Sequence, residues 1–167
     1  MSRWREAACA CVLVASGLDP ADAQGVVEDL YLTVESLDGT ESEVREPRRV
    51  TVVLTSDVLF ATDKADLSSR ARDRLRAVAD QIKAEEAGGT VRIAGHTDDR
   101  ASDAYNLRLS NRRAQAVRTA LSTLLAGRGL DLQAKGYGES RPRASGTDDA
   151  SRTKNRRVEI SYGVKAS

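Results

Sequence analysis

Residues 95–118 read GHTDDRASDAYNLRLSNRRAQAVR, and they decide the fold because a strand, a polar loop and a long helix meet there. Residues 90–96 (TVRIAGH) alternate between the two faces of a strand, which predicts that a strand ends in this stretch. Ser102 and Asp103 are both suitable N-caps, and apolar residues recur at helical spacing from there to about Leu125. The stretch therefore predicts a strand that leads through a loop into a long helix.

Arg113 lies near the centre of the apolar stripe of this helix, where an aliphatic residue would be expected. The stripe consists of Leu109, Ala116, Val117, Ala120, Leu121 and Leu124. A buried guanidinium costs free energy unless a specific partner meets it, and Asp98 at the mouth of the preceding strand is the candidate. The two side chains either neutralise each other or together bind a small zwitterion, because a carboxylate can hold an ammonium group and an arginine fork can hold a carboxylate.

The chain on either side predicts a second helix and further strands. A helical pattern begins at Leu67, with Ser68 as a plausible N-cap, and Gly88 and Gly89 are expected to end it. Core strands are expected at residues 49–54, 90–96, 130–137 and 156–162. The order βαβαββ is typical of an α/β (α+β) sandwich, in which a mixed sheet of about four strands is covered on one face by two main helices.

Three segments are expected to lie outside this core. Residues 26–37 suggest an edge strand or a short leader. Residues 41–49 are polar, and Pro47 disfavours a central strand there. Residues 138–151 are rich in turn-forming residues, which predicts a loop before the last strand.

The N-terminus has the layout of a secretory signal peptide. Basic residues precede a small apolar run at 7–17, and an Ala-x-Ala pattern predicts cleavage after Ala23. The run is about half of the roughly 20 residues needed to span a bilayer, so no transmembrane span is expected in the mature chain. Both cysteines, Cys9 and Cys11, fall in this segment, and lipidation of one of them is the alternative to cleavage. We therefore expect a secreted or cell-envelope protein with a signal peptide (1–23), a leader segment (24–49), a folded domain (50–163) and a tail (164–167).

The composition excludes some classes of partner. The 167 residues include 26 basic and 25 acidic side chains, so the net charge gives no reason to expect nucleic acid or an anionic membrane as the main partner. Aromatic residues make up only 4% of the chain, and the core is therefore expected to be mainly aliphatic. The sequence contains no phosphate-loop motif, and no cofactor is expected.

The strand end GHTD (95–98) is compatible with more than one chemistry. A metal site would combine His96 with carboxylates such as Asp98, which is an unusual set for zinc, so no metal is expected. A hydrolytic site would pair His96 with Ser102 or Ser110, yet the sequence has no nucleophile-elbow motif, so an enzyme is not expected. A binding site needs only convergent polar groups. Ligand binding and a purely structural ion pair both remain open at this point.

The same stretch resembles the signature of the OmpA-like C-terminal domain, a family of the outer membrane protein A type. The family pattern N-x-x-L-S-x-x-R-A-x-x-V is matched at Asn106, Leu109, Ser110, Arg113, Ala114 and Val117. Further segments match in the same order: DVLFATDKADLS (57–68), GYGESRPRA (136–144) and NRRVEI (155–160). The resemblance covers about residues 50–163, which is the whole of the expected domain.

The resemblance implies non-covalent binding of peptidoglycan, through the diaminopimelate residue of its stem peptide, to anchor the protein to the cell wall. It implies that Asp98 takes the ammonium group of diaminopimelate and that Arg113 takes its carboxylate. Thr97 and Asn106 would line the pocket, and Phe60 with its loop would form a wall. The alternatives are a wall-modifying hydrolase that uses His96 and a purely structural interaction module.

The start of the last strand supplies a further site residue. Arg156 shares the parity of Val158 and is therefore expected to point inward, and Arg157 is the alternative from the same pair.

The segment between the cleavage site and the domain is too short for the eight-stranded barrel of some relatives. The transmembrane helix of motor-stator relatives is also missing, so a free-standing secreted domain, or a weakly anchored one, is expected.

Overall fold

A mixed sheet of seven strands forms the centre of the part of the chain that the structure describes. The computed structural model describes residues 11–12, 32–35, 40–46, 48–61 and 64–164. The strands are β1 (Cys11–Val12), β2 (Leu32–Glu35), β3 (Glu41–Glu46), β4 (Arg49–Thr55), β5 (Gly88–Gly95), β6 (Asp131–Gly136) and β7 (Arg157–Gly163). The helices are α1 (Ser56–Leu59), α2 (Ser69–Ala84), α3 (Asp103–Leu124) and α4 (Asp149–Asn155). Apart from β1, the predicted signal peptide lies outside the described residues.

The sheet has the order β1-β2-β3-β4-β7-β5-β6, so the last strand of the sequence lies in its middle. All neighbouring strands pair antiparallel except β5 and β6, whose parallel pairing needs the crossover that α3 provides. Buried side chains at alternate positions of β4, β5 and β7 pack against the apolar stripes of α2 and α3. The prediction of an α/β sandwich with two main helices on one face of a mixed sheet is confirmed.

The core is aliphatic, as the scarcity of aromatic residues predicts. Phe60 and Tyr162 are the aromatic members of the cluster of buried side chains in the described part of the chain. No described helix is long and apolar enough to cross a membrane.

The sheet is larger than predicted because residues 41–46 form β3 and not a polar connection. This strand pairs antiparallel with β4 along its whole length, from Glu41 opposite Leu54 to Glu46 opposite Arg49. The strand ends at Glu46, so Pro47 is not part of it. Strand β2, at Leu32–Glu35, falls within the segment for which an edge strand or a leader is expected.

Two predicted boundaries differ from the structure. Helix α2 ends at Ala84, because Glu86 adopts a left-handed conformation (φ 47°) and the amide of Ala87 donates to the carbonyl of Ile82 at 3.1 Å. The glycines expected to end the helix therefore begin β5 instead. In the loop expected at 138–151, the side chain of Asp148 accepts a hydrogen bond from the amide of Ser151 and starts α4.

Ser68 is the N-cap of α2, as predicted, and its hydroxyl also donates to the carbonyl of Val58. We expect Ser68→Ala to lower the free energy of unfolding by about 1–2 kcal/mol, because the amide of Ala71 and that carbonyl both lose a partner. Ser69→Ala, at the exposed next position, is the control and should change stability little. Urea denaturation of the two variants checks the prediction, and equal stabilities would contradict it.

Glycines at the ends of β5 and β6 allow α3 to lie directly against the sheet. A Cβ atom at Gly95 would collide with the carbonyl oxygen of Ser110, and one at Gly136 would collide with the amide of Asn111. The contact is also tied by hydrogen bonds, since the amide of Gly136 donates to Asn111 Oδ1 at 2.7 Å and that of Gly138 to Ser110 Oγ at 2.9 Å. These contacts fix the N-terminal half of α3 relative to the loops that follow both strands.

Candidate functional site

The candidate site lies where β5 and β6 end beside the first turns of α3. The loops after the two strands are joined by a hydrogen bond of 3.0 Å from the amide of Thr97 to the carbonyl of Gly138. Asn106 of α3 is buried and donates to the carbonyl of Asp98 at 3.0 Å and to Glu139 Oε2 at 2.6 Å. Thr97 and Asn106 therefore fix the backbone around Asp98, and both are within the candidate site that the sequence predicts.

Asp98 is held by Arg156. Its Oδ2 atom lies 2.9 Å from Arg156 Nη1, and its Oδ1 atom accepts a hydrogen bond of 3.3 Å from the amide of Arg100. The other side of the same guanidinium binds Asp57 through two hydrogen bonds, of 3.2 Å from Nε and 2.9 Å from Nη2. The bonds to Asp57, and then those to Asp98, raise the pKa of Arg156 above its ordinary value. A permanently charged guanidinium thus connects two carboxylates from distant parts of the chain.

Arg113 is buried in the apolar stripe of α3, as predicted, with 6% of its surface exposed. Its Nε atom donates to the carbonyl of Lys64 at 3.0 Å, and its guanidinium lies 5.1 Å from the centre of the Phe60 ring. Phe60 ends the short helix α1, which also contains Asp57. We call Asp57, Asp98, Arg113 and Arg156 the charged cluster: ion pairs join Asp57 and Asp98 to Arg156, whereas Arg113 is connected to this group through Phe60 at the end of α1. It contains two carboxylates and two guanidinium groups, so its formal charges balance.

The structure distinguishes the two arginines at the start of the last strand. Arg156 does not follow the parity of Val158, because β7 begins at Arg157 and Arg156 still caps α4. Its half-buried side chain reaches Asp98 directly. Arg157 is buried instead, and it binds Glu159 at 2.7 Å and the carbonyl of Arg141 at 3.2 Å. The expectation that parity turns Arg156 inward is therefore wrong, although the residue does lie in the candidate site.

The loop that contains Asp98 is attached to α4 by successive ion pairs. Asp99 binds Arg152 at 2.7 Å, and Arg100 binds Asp149 at 2.6 Å. Each of these pairs is exposed and worth little alone. Together with the bond of Asp98 to Arg156, they hold three consecutive loop residues along one side of α4.

A small polar cavity of about 170 Å³ opens beside Asp98. Thr97, Asp99, Glu139 and Asn155 are among the residues that line it. The Oγ1 atom of Thr97 is buried and has no hydrogen-bond partner in the part of the chain that the structure describes. A buried hydroxyl without a partner is unfavourable, and a polar ligand group that reached it would remove that cost.

Among the described residues, no hydrogen bond joins the groups of the hydrolytic hypothesis. Ser110 Oγ donates to the carbonyl of Leu107 and accepts from the amide of Gly138, while Ser102 Oγ caps α3. His96 is 3% exposed and stacks on Tyr137 with ring centres 5.4 Å apart. Its ring nitrogens have no hydrogen-bond partner among the described residues. Neither serine is therefore arranged with His96 as a nucleophile and its base.

His96 is expected to make stability depend on pH. Burial, and then the positive charge of Arg157, lower the pKa of His96 from 6.5 to about 4, although Glu159 acts in the opposite direction. Between these values the unfolded chain binds a proton that the folded chain does not, so stability falls as pH falls. We expect a loss on the order of 3 kcal/mol from this group between neutral pH and pH about 4.

The matched variant for this pH prediction is His96→Phe, whose ring can stack on Tyr137 but does not titrate. Its free energy of unfolding should decrease less than that of the wild type when the pH is lowered from neutral to about 4.5. Urea denaturation at both pH values measures the difference. An equal decrease in the two proteins would show that His96 does not titrate in this way.

Asp57 and Glu139 are the site residues that sequence reasoning missed. Asp57 begins the segment 57–68 that matches the family pattern, but Phe60 is the residue of that segment to which the resemblance gives a role. Glu139 follows the third core strand and looked like a turn residue. Both act through partners more than 30 positions away, and a local pattern does not reveal such contacts. Among the described residues, no group of three His, Cys, Asp or Glu side chains is placed to hold a metal ion.

The profile of the OmpA family matches residues 59–156, and the chain therefore belongs to the OmpA family. It is 40% identical over 104 residues to the peptidoglycan-associated lipoprotein of Legionella pneumophila, an alignment that covers 62% of this chain and 58% of the relative. It is 37% identical over 125 residues to the peptidoglycan-associated lipoprotein of Pseudomonas putida, covering 75% and 70% of the two chains.

Solved structures have the same fold. The cell wall anchor of the T6SS from Pseudomonas aeruginosa superimposes with a TM-score of 0.64 and 30% identity, over 75% of this chain and 89% of that one. The peptidoglycan-associated lipoprotein from Burkholderia pseudomallei gives a TM-score of 0.53 and 35% identity, over 63% and 87%. The chain spans little more than half the length of the Legionella relative, so the similarity concerns this domain.

Proposed function

We propose that the chain binds peptidoglycan non-covalently, through the diaminopimelate residue of the stem peptide, and so attaches itself to the cell wall. The observation that carries the proposal is the charged cluster at the ends of β5 and α1. Its balanced charges suit a zwitterion, which brings one ammonium group and one carboxylate. A ligand with a net charge would leave one member of the cluster uncompensated.

Each end of the zwitterion has a partner in the cluster. Asp98 accepts two hydrogen bonds from described residues, whereas a carboxylate can accept about four, so an ammonium group can be added. Arg113 presents a planar guanidinium, and its fork geometry matches a carboxylate. Thr97 lines the cavity beside Asp98, and Asn106 holds the Asp98 backbone through its carbonyl. In this proposal Phe60, which contacts the Arg113 guanidinium, serves as the wall of the pocket, and Arg156 keeps Asp98 in place.

The relatives support the cell envelope as the location. Two of them are named peptidoglycan-associated lipoproteins, and a solved neighbour is described as a cell wall anchor. We propose that this chain shares their place at the wall and acts as a binding module, not as an enzyme. No hydrogen bond between described residues joins His96 to either candidate serine, which supports the same reading.

The test is binding to purified cell walls that contain diaminopimelate, with free diaminopimelate as competitor. The wild-type chain should sediment with the walls and be displaced by the free amino acid. Asp98→Asn should lose most of the binding, since the amide cannot pair with an ammonium group as a charge. Asp131→Asn, at the exposed start of β6, is the control and should bind as the wild type does.

The possible outcomes test the proposed function and the assignment of Asp98 separately. If the wild type fails to sediment with the walls, the proposed function is wrong. If Asp98→Asn binds as tightly as the wild type, the function stands and the assignment of Asp98 is wrong. Release of soluble muropeptides by the wild type would instead favour the hydrolase.

A further inference from the structure

A larger cavity, of about 530 Å³, is lined by residues of α1 and of the segments that flank it. Val58, Phe60 and Ala61 give it an apolar side, while threonine and serine residues line much of the remainder. Two charged residues complete the lining, Asp57 and Arg70. Asp98 and Arg113, the two residues proposed to bind diaminopimelate, do not line this cavity.

The cavity adjoins the charged cluster at two points. Asp57 lines the cavity and binds Arg156, which binds Asp98 with its other amino group. Phe60 also lines the cavity, and its ring contacts the guanidinium of Arg113. One guanidinium and one aromatic ring therefore separate the cavity from the two residues of the proposed clamp. The glutamyl residue of the stem peptide follows the clamped zwitterionic centre after the alkyl chain of diaminopimelate and one amide bond, so a bound peptide can extend from the clamp past these two groups towards the cavity.

Arg70 supplies the positive charge of this cavity. It is exposed, and none of the ion pairs between described residues involves it. Arg70 also lies in the first turn of α2, where a cation opposes the helix dipole. Stabilisation of the helix therefore does not explain an arginine at this position. Asp57, the other charged residue of the lining, is already engaged by Arg156.

We propose that this cavity is a second subsite, which binds the carboxylate of the acidic residue that precedes diaminopimelate in the stem peptide. Arg70 is the ligand of that carboxylate, and the apolar side of the cavity takes the alkyl part of the peptide. A sugar is a poorer fit, because the aromatic ring of the lining, Phe60, is only 4% exposed and offers no open face for stacking. This inference rests on the proposed function and extends the same site.

The experiment compares three probes by calorimetric titration of the full chain. They are free diaminopimelate, the tripeptide alanyl-γ-glutamyl-diaminopimelate, and the same tripeptide amidated at the glutamyl α-carboxyl. Arg70→Gln should weaken binding of the tripeptide about fivefold, as for a partly exposed charge pair, and should leave free diaminopimelate unaffected. Arg70→Lys, which retains the charge, should recover part of the loss. Arg72→Gln, which removes an exposed charge from the same helix outside the cavity, is the control.

The amidated tripeptide provides the reciprocal measurement. It should bind the wild type as weakly as the free-acid tripeptide binds Arg70→Gln, and Arg70→Gln should not discriminate between the two peptides. Equal affinity of the wild type and Arg70→Gln for the free-acid tripeptide would overturn the subsite while leaving the clamp intact. Failure of the wild type to bind any of the three probes would overturn the proposed function and this inference with it.

Discussion

Arg113→Lys is expected to weaken the binding of diaminopimelate about 30-fold or more, while the protein remains folded. The replacement keeps the positive charge but removes the planar fork that holds a carboxylate through two hydrogen bonds. An ammonium group on a flexible stem also cannot reproduce both contacts of Arg113, with the carbonyl of Lys64 and with the ring of Phe60. The loss should therefore come from geometry and not from charge.

Calorimetry with free diaminopimelate and thermal denaturation together check this prediction. Loss of the hydrogen bond to Lys64 should lower the free energy of unfolding by only about 1 kcal/mol, much less than the effect on binding. Arg112→Lys, the exposed neighbour on the same helix, should change neither property. If Arg113→Lys lowers stability strongly and leaves the affinity for diaminopimelate intact, Arg113 is a structural residue and the clamp is wrong.

Local signals in the sequence were sufficient to predict the burial of Arg113 and the N-caps of α2 and α3. Hydrophobic periodicity alone places Arg113 on the buried side of α3, and the structure confirms its burial. Ser68 and Ser102 cap their helices through hydrogen bonds to amides three residues later. These features depend on a few neighbouring residues, which is why a single sequence reveals them.

The partner of Asp98 could not be derived in the same way. The bond depends on Arg156, which is 58 positions away, and on Asp57, which lies 99 positions from that arginine. Which of Arg156 and Arg157 faces inward depends on the residue at which β7 begins. A shift of one residue exchanges the two faces of a strand. Strand ends are set by long-range pairing, so the sequence alone does not determine the residue from which the alternation in β7 should be counted.

The polar strand β3 was missed for a related reason. Its sequence, ESEVRE, has one aliphatic residue, and no alternation of apolar and polar side chains marks it as a strand. It is stabilised by backbone pairing with β4 and by side-chain contacts with other elements, such as the bond of 3.2 Å between Glu41 and Arg74 of α2. Neither contribution is visible in the segment itself.

Gly136→Ala is expected to lower the free energy of unfolding by about 3 kcal/mol or more, because the site has no room for a methyl group. The added carbon would lie 2.7 Å from the carbonyl carbon of Ser110, and closer still to the amide of Asn111. Both are backbone groups of α3, so the helix must move as a body. That movement would also break the hydrogen bond from the amide of Gly136 to the side chain of Asn111.

Gly88→Ala is the matched control, because a Cβ at Gly88 meets nothing within 4 Å and its backbone conformation is ordinary. That variant should be as stable as the wild type or slightly more stable, since alanine restricts the unfolded chain. Urea denaturation distinguishes the two glycines, and equal stabilities would contradict the close packing of α3. Any Gly136→Ala protein that folds should also bind cell walls weakly, because Asn106 and Arg113 move with α3 while Asp98 stays at the end of β5. The glycine would then be a positioning residue for the clamp, although it contacts no ligand.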